Sequence, residues 1–163
     1  DFKMIVLAPS SVQEAVNLLP QIRMKEVLFY QTERRYIAVK KNPNATSCGG
    51  SQNLWHKNVN SKDQESWNLL GFRPPTPGVY FQYWVNADSS VTANAPSHSK
   101  DDNNCFGAIP DLRLHYPSNL KGPWFVACAS GNLSGANCAN KKPEYSFGIS
   151  GAENFQRVFV KEP

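Results

Sequence analysis

The sequence lacks any long apolar run. The apolar segment Met4-Ile-Val-Leu-Ala8 is far shorter than the roughly twenty residues that cross a bilayer, and it is too short for the apolar part of a signal peptide. A long basic run is missing as well, because the net charge is only +4 and the cations occur as the dispersed pairs Arg34-Arg35, Lys40-Lys41 and Lys141-Lys142. This dispersion argues against nucleic acid as a partner.

Cysteines are few, and their spacing excludes two common kinds of site. The four cysteines form no C-x-x-C pair, which argues against a zinc site and against a thioredoxin-type redox motif. An even number of cysteines favours disulfides and an oxidising compartment, with buried free thiols as the alternative. Three pairings exist. We favour Cys128 with Cys138, which closes a turn-rich loop and leaves Cys48 for Cys105.

Side chains that carry catalytic or metal chemistry are also sparse. A Cys-His nucleophile needs a free thiolate beside an oriented imidazole, and the even cysteine count argues against one. The histidines lie in polar contexts typical of solvated residues, and the acidic pair Asp101-Asp102 lacks the spacing of a calcium loop. We therefore predict no enzyme, no catalytic residue, no metal site and no cofactor. The residues weighed for these roles are Cys48, His56, His98, His115, Asp88, Asp101, Asp102 and Asp111.

The clearest periodic pattern predicts a long helix near the N-terminus. Apolar and aromatic residues recur there at three- and four-residue steps, which predicts a helix from Ser11 to about Val39. Ser11 and Glu14 have the spacing of a capping box, whereas Pro20 predicts a kink or a late start. Glu26 interrupts the stripe, so we expect a basic side chain to satisfy it or a subunit contact to cover it. The stripe comprises Val12, Ala15, Leu19, Ile22, Phe29 and Tyr36.

The remainder of the chain predicts a sheet. With 163 residues and no internal repeat, the sequence fits one domain with one sizeable core. Residues 1–39 are predicted as the helical segment, 40–66 as a connecting loop, and 67–163 as a sheet region with a disulfide-bonded loop. Aromatic and β-branched runs predict the strands, which are expected at 78–85, 124–129, 145–149 and 155–160. This order predicts an α+β domain with an antiparallel sheet laid on the long N-terminal helix.

Three groups of residues follow one another in a recognisable order. The helix is followed by Trp67-x-x-Leu-Gly-Phe72-x-Pro and Tyr80-x-x-Tyr83, and later by a strand that leads into the loop Gly131-Asn-Leu-Ser-Gly135. Together they resemble the globular part of a bacterial type IV pilin. The resemblance covers roughly the first 85 residues and then 124–138. Its helical motif consists of Ser11, Glu14, Ala15, Asn17, Leu18, Ile22, Glu26, Phe29 and Tyr36.

The resemblance implies a structural subunit of a pilus that serves adhesion or motility. Such a subunit would polymerise with copies of itself through the helix, be handled by assembly machinery in the inner membrane, and end in a filament outside the cell. The hydrophobic first half of the family's helix is not in this sequence, so we expect it to precede Asp1. Asn132 and Ser134 replace the loop aspartates that bind calcium in some relatives. The implied assembly face comprises Ala15, Leu19, Ile22, Glu26 and Phe29.

Other roles remain open on the residues alone. The chain is alternatively a minor pilin, a pseudopilin of type II secretion, or a secreted recognition module that does not polymerise. A recognition surface would use an exposed aromatic side chain or the dispersed cations, and Trp84 and Trp124 are instead expected within the sheet. The candidates for such a surface are Trp55, Arg34, Arg35, Lys40 and Lys41.

Overall fold

The protein is an α+β domain in which a 24-residue helix lies beside a five-stranded antiparallel sheet. The computed structural model describes residues 10–45, 49–94, 104–109, 112, 116, 119–134, 143–152 and 157–162. Within these residues, no helix combines the length and the apolar character that crossing a membrane would need. In chain order the elements are α1 (Ser10–Glu33), β1 (Val39–Asn42), β2 (Asn53–Leu54), α2 (Ser61–Leu70), β3 (Gly78–Val79), β4 (Gln82–Asp88), α3 (Cys105–Ala108), β5 (Trp124–Gly131), β6 (Tyr145–Ser150) and β7 (Val158–Lys161).

Helix α1 is shorter at its C-terminal end than the periodicity predicts. It runs through Pro20 and ends at Glu33, because Arg34 adopts a left-handed backbone conformation (φ 58°) that stops the helix. Its first turn also differs from the predicted capping box. The Glu14 carboxylate accepts hydrogen bonds from the Tyr80 N–H at 3.0 Å and from the Tyr83 hydroxyl at 2.8 Å. This glutamate therefore joins the helix to the sheet.

Residues 40–66 are not the continuous loop that the sequence predicts. They contain most of β1, all of β2 and the first turns of α2. The start of α2 is fixed by Asn60, whose side chain accepts a hydrogen bond from the Asp63 N–H at 2.9 Å. Its end is fixed by Gly71, which supplies the left-handed cap (φ 82°). A capping asparagine and a capping glycine therefore fix the bounds of α2.

The main sheet has the order β1-β4-β5-β6-β7, and all neighbours are antiparallel. Successive strand residues point to opposite faces, so β5 divides its side chains between two apolar clusters. Phe125 and Ala127 pack in the first cluster, together with the buried face of α1. Val126 and Cys128 pack in the second cluster, on the opposite face. Both faces of the central strands are therefore covered.

The second apolar cluster is held by a disulfide that corrects the predicted pairing. Cys105 is bonded to Cys128, so neither the predicted Cys128–Cys138 bridge nor the predicted Cys48–Cys105 bridge is present. The reason is geometric: Cys128 lies on the sheet face that α3 covers, and α3 begins at Cys105, whose N–H donates to Asn86 Oδ1 at 2.7 Å. Cys48 and Cys138 lie outside the described residues.

Candidate functional site

The five residues predicted as an assembly face do not lie on the surface. Their side chains are buried within the chain, and the four apolar ones belong to the cluster between α1 and the sheet. The prediction is corrected for a simple reason: the apolar stripe of an isolated domain is first used to bury its own sheet. These side chains are therefore not available for contacts between copies. The residues concerned are Ala15, Leu19, Ile22, Glu26 and Phe29.

The opposite side of α1 carries an unusual set of exposed side chains. Met24 is 44% exposed and Leu28 is 48% exposed, one helical turn apart. Most of the exposed residues around them are polar and uncharged, and the neighbouring Lys25 is the charged exception on this part of the helix, whereas solvent-facing helix surfaces usually carry several charges. We call this surface the outer helix face; it comprises Gln13, Asn17, Gln21, Met24, Leu28 and Gln31.

Glu26 is fully buried beside the C-terminal end of α1. Its Oε1 atom accepts a hydrogen bond from the Ile37 N–H at 2.8 Å, while Oε2 has no hydrogen-bond partner among the described residues. Burial raises the pKa of this carboxyl to about 8, although the Ile37 hydrogen bond opposes the rise. The backbone amide of Ile37, and not the expected basic side chain, is thus the hydrogen-bond partner of Glu26.

The predicted surface-binding residues do not come together as one patch. Trp55 is half-buried and packs edge-on against Trp67 and Phe72, with ring centroids 5.0 and 5.7 Å away, so it offers no open aromatic platform. Arg34 is exposed, and the Arg35 guanidinium lies 5.2 Å from the centroid of the Phe29 ring. Only Lys40 and Lys41 line a common cavity.

That cavity, which we call the β1 cleft, lies between β1 and the N-terminal part of α2. Its volume is about 510 Å³, within the range of small-molecule sites. The wall contributed by β1 and β4 includes Val39, Val85 and Trp84, and the Lys41 Nζ atom lies 4.8 Å from the centroid of the Trp84 ring. The remaining lining is mostly polar and consists of Asn44, Asn58, Asn60, Asp63, Ser66 and Asn86, with Ala38, Val59, Lys40 and Lys41 completing the wall.

Buried Asn42 fixes two sides of the β1 cleft to each other. The Asn42 Oδ1 atom accepts a hydrogen bond from the backbone N–H of His56 at 2.8 Å. This contact orients the Asn42 amide so that its Nδ2 donates to the ring atom Nδ1 of His56, also at 2.8 Å. The backbone bond from Asn44 N–H to the Lys57 carbonyl, at 2.9 Å, adds a second clamp. Burial, with the charge of Arg73, lowers the pKa of His56, which favours the neutral imidazole that this arrangement requires.

The backbone is strained on the same side of the cleft. His56 and Asn58 both have positive backbone φ angles, 73° and 57°, which residues other than glycine rarely adopt. Strain of this kind persists where surrounding contacts hold it, and it clusters at functional sites. Sequence reasoning assigned no ligand contact to Asn44 or Asn58. The available signal was the density of asparagines and Asx-type turns in 42–60.

Several residues weighed for catalytic or metal chemistry cannot be placed. His98, His115, Asp101, Asp102 and Asp111 lie outside the described residues. Within the part of the chain that the structure describes, no three His, Cys, Asp or Glu side chains are grouped closely enough to hold one metal ion. Comparisons of the chain with known protein families, with curated proteins and with solved structures found no match.

Proposed function

We propose that this chain is the globular part of a type IV pilin, a structural subunit of an extracellular filament that serves adhesion or motility. The observation that carries the proposal is the outer helix face. An N-terminal helix that buries one stripe within its own chain still exposes Met24 and Leu28 among mostly uncharged side chains, with Lys25 beside them. The order of helix and antiparallel strands is consistent with the pilin resemblance of the motifs.

The outer helix face suits packing between copies of the same helix. Burying the exposed parts of Met24 and Leu28 would remove apolar area from water, at about 25 cal/mol for each Å². Glutamine and asparagine side chains can enter such a contact without burying a charge, which would be far more costly. A repeated head-to-tail contact of this kind does not close on itself and generates a helical filament. In this proposal the sheet and its loops face outward.

The proposal includes a pathway from membrane to filament. The full-length precursor would be anchored in the inner membrane by an apolar helix half upstream of Asp1, handled by the pilus assembly machinery, and extracted into the filament. A major pilin, a minor pilin and a pseudopilin share these requirements. We propose no catalytic activity and no cofactor, because packing between copies of the outer helix face supports a structural role in a filament.

The test combines the upstream coding sequence with the cell surface of the source organism. We expect about twenty apolar residues encoded directly upstream of Asp1, preceded by a short basic leader. We also expect antibodies against the domain to decorate sheared surface filaments in electron micrographs. A conventional cleavable signal peptide, together with a monomeric secreted product, would contradict the proposal.

One observation favours a second candidate, a secreted recognition module that does not polymerise. The β1 cleft is a polar cavity of ligand size with a clamped wall, and it does not depend on contacts between copies. Both roles are compatible with ligand binding in the cleft. The upstream coding sequence distinguishes them, since only the filament subunit requires the apolar helix half.

A further inference from the structure

The β1 cleft has a positive charge balance. Lys40 and Lys41 line it, and Asp63 is the one acidic residue among the described residues of its lining. The Asp63 carboxylate accepts a hydrogen bond from the neutral Asn60 Nδ2 at 3.0 Å, which leaves its charge in place, so two lysines against one aspartate give the described lining a net charge of +1. An anionic group is therefore favoured over a cation in this cleft.

The polar lining also suits hydroxyl groups. A side-chain amide offers two donor hydrogens and an accepting oxygen, so it can pair with hydroxyls in either role. The amides of Asn44 and Asn58 are exposed and make no side-chain hydrogen bond to another described residue. The Ser66 hydroxyl, which donates to the Lys62 carbonyl at 3.2 Å, retains accepting capacity. Hydroxyl-rich ligands would find both donors and acceptors here.

A buried donor without a partner lies in the wall of the cleft. Trp84 is only 2% exposed, and its indole Nε1 has no hydrogen-bond partner among the described residues. A buried N–H group without an acceptor is costly, but the Trp84 side chain packs in the second apolar cluster, so no ligand contact is assigned to this group. The apolar side chains of Val39, Val59 and Val85 complete the lining with surface suited to C–H groups.

The same wall argues against a nucleobase. Single-stranded nucleic acids are held by exposed aromatic faces on which the bases stack. Trp84 is buried beneath the Lys41 side chain, and Trp55 is packed against other rings. Hydroxyls, one anionic group and C–H faces are the features of a carbohydrate that bears a carboxylate.

We propose that the β1 cleft binds an acidic saccharide, with Lys40 contacting the carboxylate and the amides of Asn44 and Asn58 contacting hydroxyls. The clamp between Asn42 and His56 keeps the two sides of the cleft in place before the ligand arrives, which reduces the entropic cost of binding. The site belongs to a single chain and does not depend on polymerisation. Its failure and the failure of the filament proposal are therefore separate results.

Binding is tested by nuclear magnetic resonance on the isotope-labelled chain with four probes. Sialyllactose and digalacturonate are the two acidic saccharides, lactose is the neutral control, and a short oligothymidylate represents nucleic acid. We expect at least one acidic saccharide to shift the side-chain amides of Asn44 and Asn58, with about tenfold tighter binding than lactose. Binding of sialyllactose would point to a ligand that contains sialic acid, and binding of digalacturonate to one that contains uronic acid. Equal binding of lactose, tighter binding of the oligonucleotide, or no shift with either acidic probe overturns the proposal.

Two variants locate the site, and one matched variant controls for net charge. Lys40→Glu should weaken binding of the acidic saccharide about tenfold or more, whereas Lys25→Glu, the same charge change on an exposed position of α1, should change it less than about twofold. Asn58→Gly removes the amide while glycine tolerates the φ of 57°, and should weaken binding severalfold at unchanged thermal stability. Equal effects of the two lysine variants would overturn the proposal. If Asn58→Gly does not fold, Asn44→Ala replaces it with the same expectation.

Discussion

The buried carboxyl of Glu26 makes the stability of the fold depend on pH. Its surroundings include Arg23, whose Nε donates to the Ser150 carbonyl at 3.1 Å, and the hydroxyl-bearing rings of Tyr30 and Tyr36, which stack at 4.6 Å. Its described hydrogen bond is the one from the Ile37 N–H. Because burial raises the pKa to about 8, the folded chain holds a proton here near neutral pH.

The magnitude follows from linkage between protonation and folding. The pKa rises from 4.5 in the unfolded chain to about 8 in the folded one, and each pKa unit corresponds to about 1.4 kcal/mol, so ionisation opposes folding by about 5 kcal/mol. The folded state binds more protons in this interval. The free energy of unfolding is therefore highest below pH 4.5, falls as the pH rises through 8, and levels off above it. Local opening of 34–38 would admit water to the carboxylate, so about 5 kcal/mol is the upper limit.

The perturbation is Glu26→Gln, which keeps an oxygen acceptor for the Ile37 N–H and cannot ionise. Urea unfolding followed by tryptophan fluorescence gives the free energy of unfolding at several pH values between about 5 and 9. We expect the variant to approach the wild type at the acidic end and to exceed it by several kcal/mol at the alkaline end. Glu33→Gln, at the exposed end of the same helix, is the matched control and should leave the pH profile unchanged. Parallel profiles for Glu26→Gln and the wild type would refute the reasoning.

Three further predictions concern packing, the contact between helix and sheet, and the disulfide. Gly148→Ala would bring a Cβ into steric overlap with the Leu112 Cδ1 atom, so we expect a loss of about 2 kcal/mol in urea unfolding; an unchanged midpoint would contradict this packing. Tyr83→Phe removes the hydroxyl that donates to Glu14 at 2.8 Å and should cost about 2 kcal/mol, an effect that should largely vanish in a Glu14→Ala background, which has no acceptor; additive costs would show that the two groups are not coupled. Non-reducing digestion should yield the Cys105–Cys128 peptide pair, and recovery of Cys128 linked to Cys138 would contradict the fold on this face of the sheet.

Local periodicity was sufficient to predict α1 and four of the strands, but it missed β1, β2, α2 and α3. Three- and four-residue spacing located α1, and aromatic, β-branched runs located β4 to β7 to within a few residues, because both patterns are consequences of backbone geometry. The α+β class with an antiparallel sheet is confirmed. The end of α1 could not be read in this way, since it depends on a left-handed Arg34 within a sequence that continues to favour helix.

Partners distant in the sequence were beyond such reasoning. The capping role expected for Glu14 was wrong because Tyr80 and Tyr83, more than sixty residues away, compete successfully for its carboxylate. The favoured disulfide was wrong for a related reason. Loop length suggested the nearest cysteine, whereas the face on which Cys128 lies, together with the position of Cys105 at the start of α3, decides the pairing.

In the candidate sites, too, local spacing identified individual residues, whereas contacts between residues distant in the sequence were not predicted. The apolar stripe of α1 was identified from its spacing, yet its assignment to contacts between copies was wrong, because its side chains are buried within the chain. Of the residues that line the β1 cleft, the sequence predicted only Lys40 and Lys41 as candidates for a recognition surface. Its asparagines converge because Asn42 clamps His56, a contact that turn propensity alone does not reveal.

The most direct test of the filament proposal is site-specific photo-crosslinking in the full-length protein at the surface of its native cells. A photoreactive residue replaces Met24 or Leu28 on the outer helix face, and Leu69, which is 55% exposed on α2, serves as the control position. The account predicts ladders of crosslinked multimers from positions 24 and 28 in sheared filaments, well above the level at position 69. Monomer alone at positions 24 and 28 in filaments that contain the chain would contradict it.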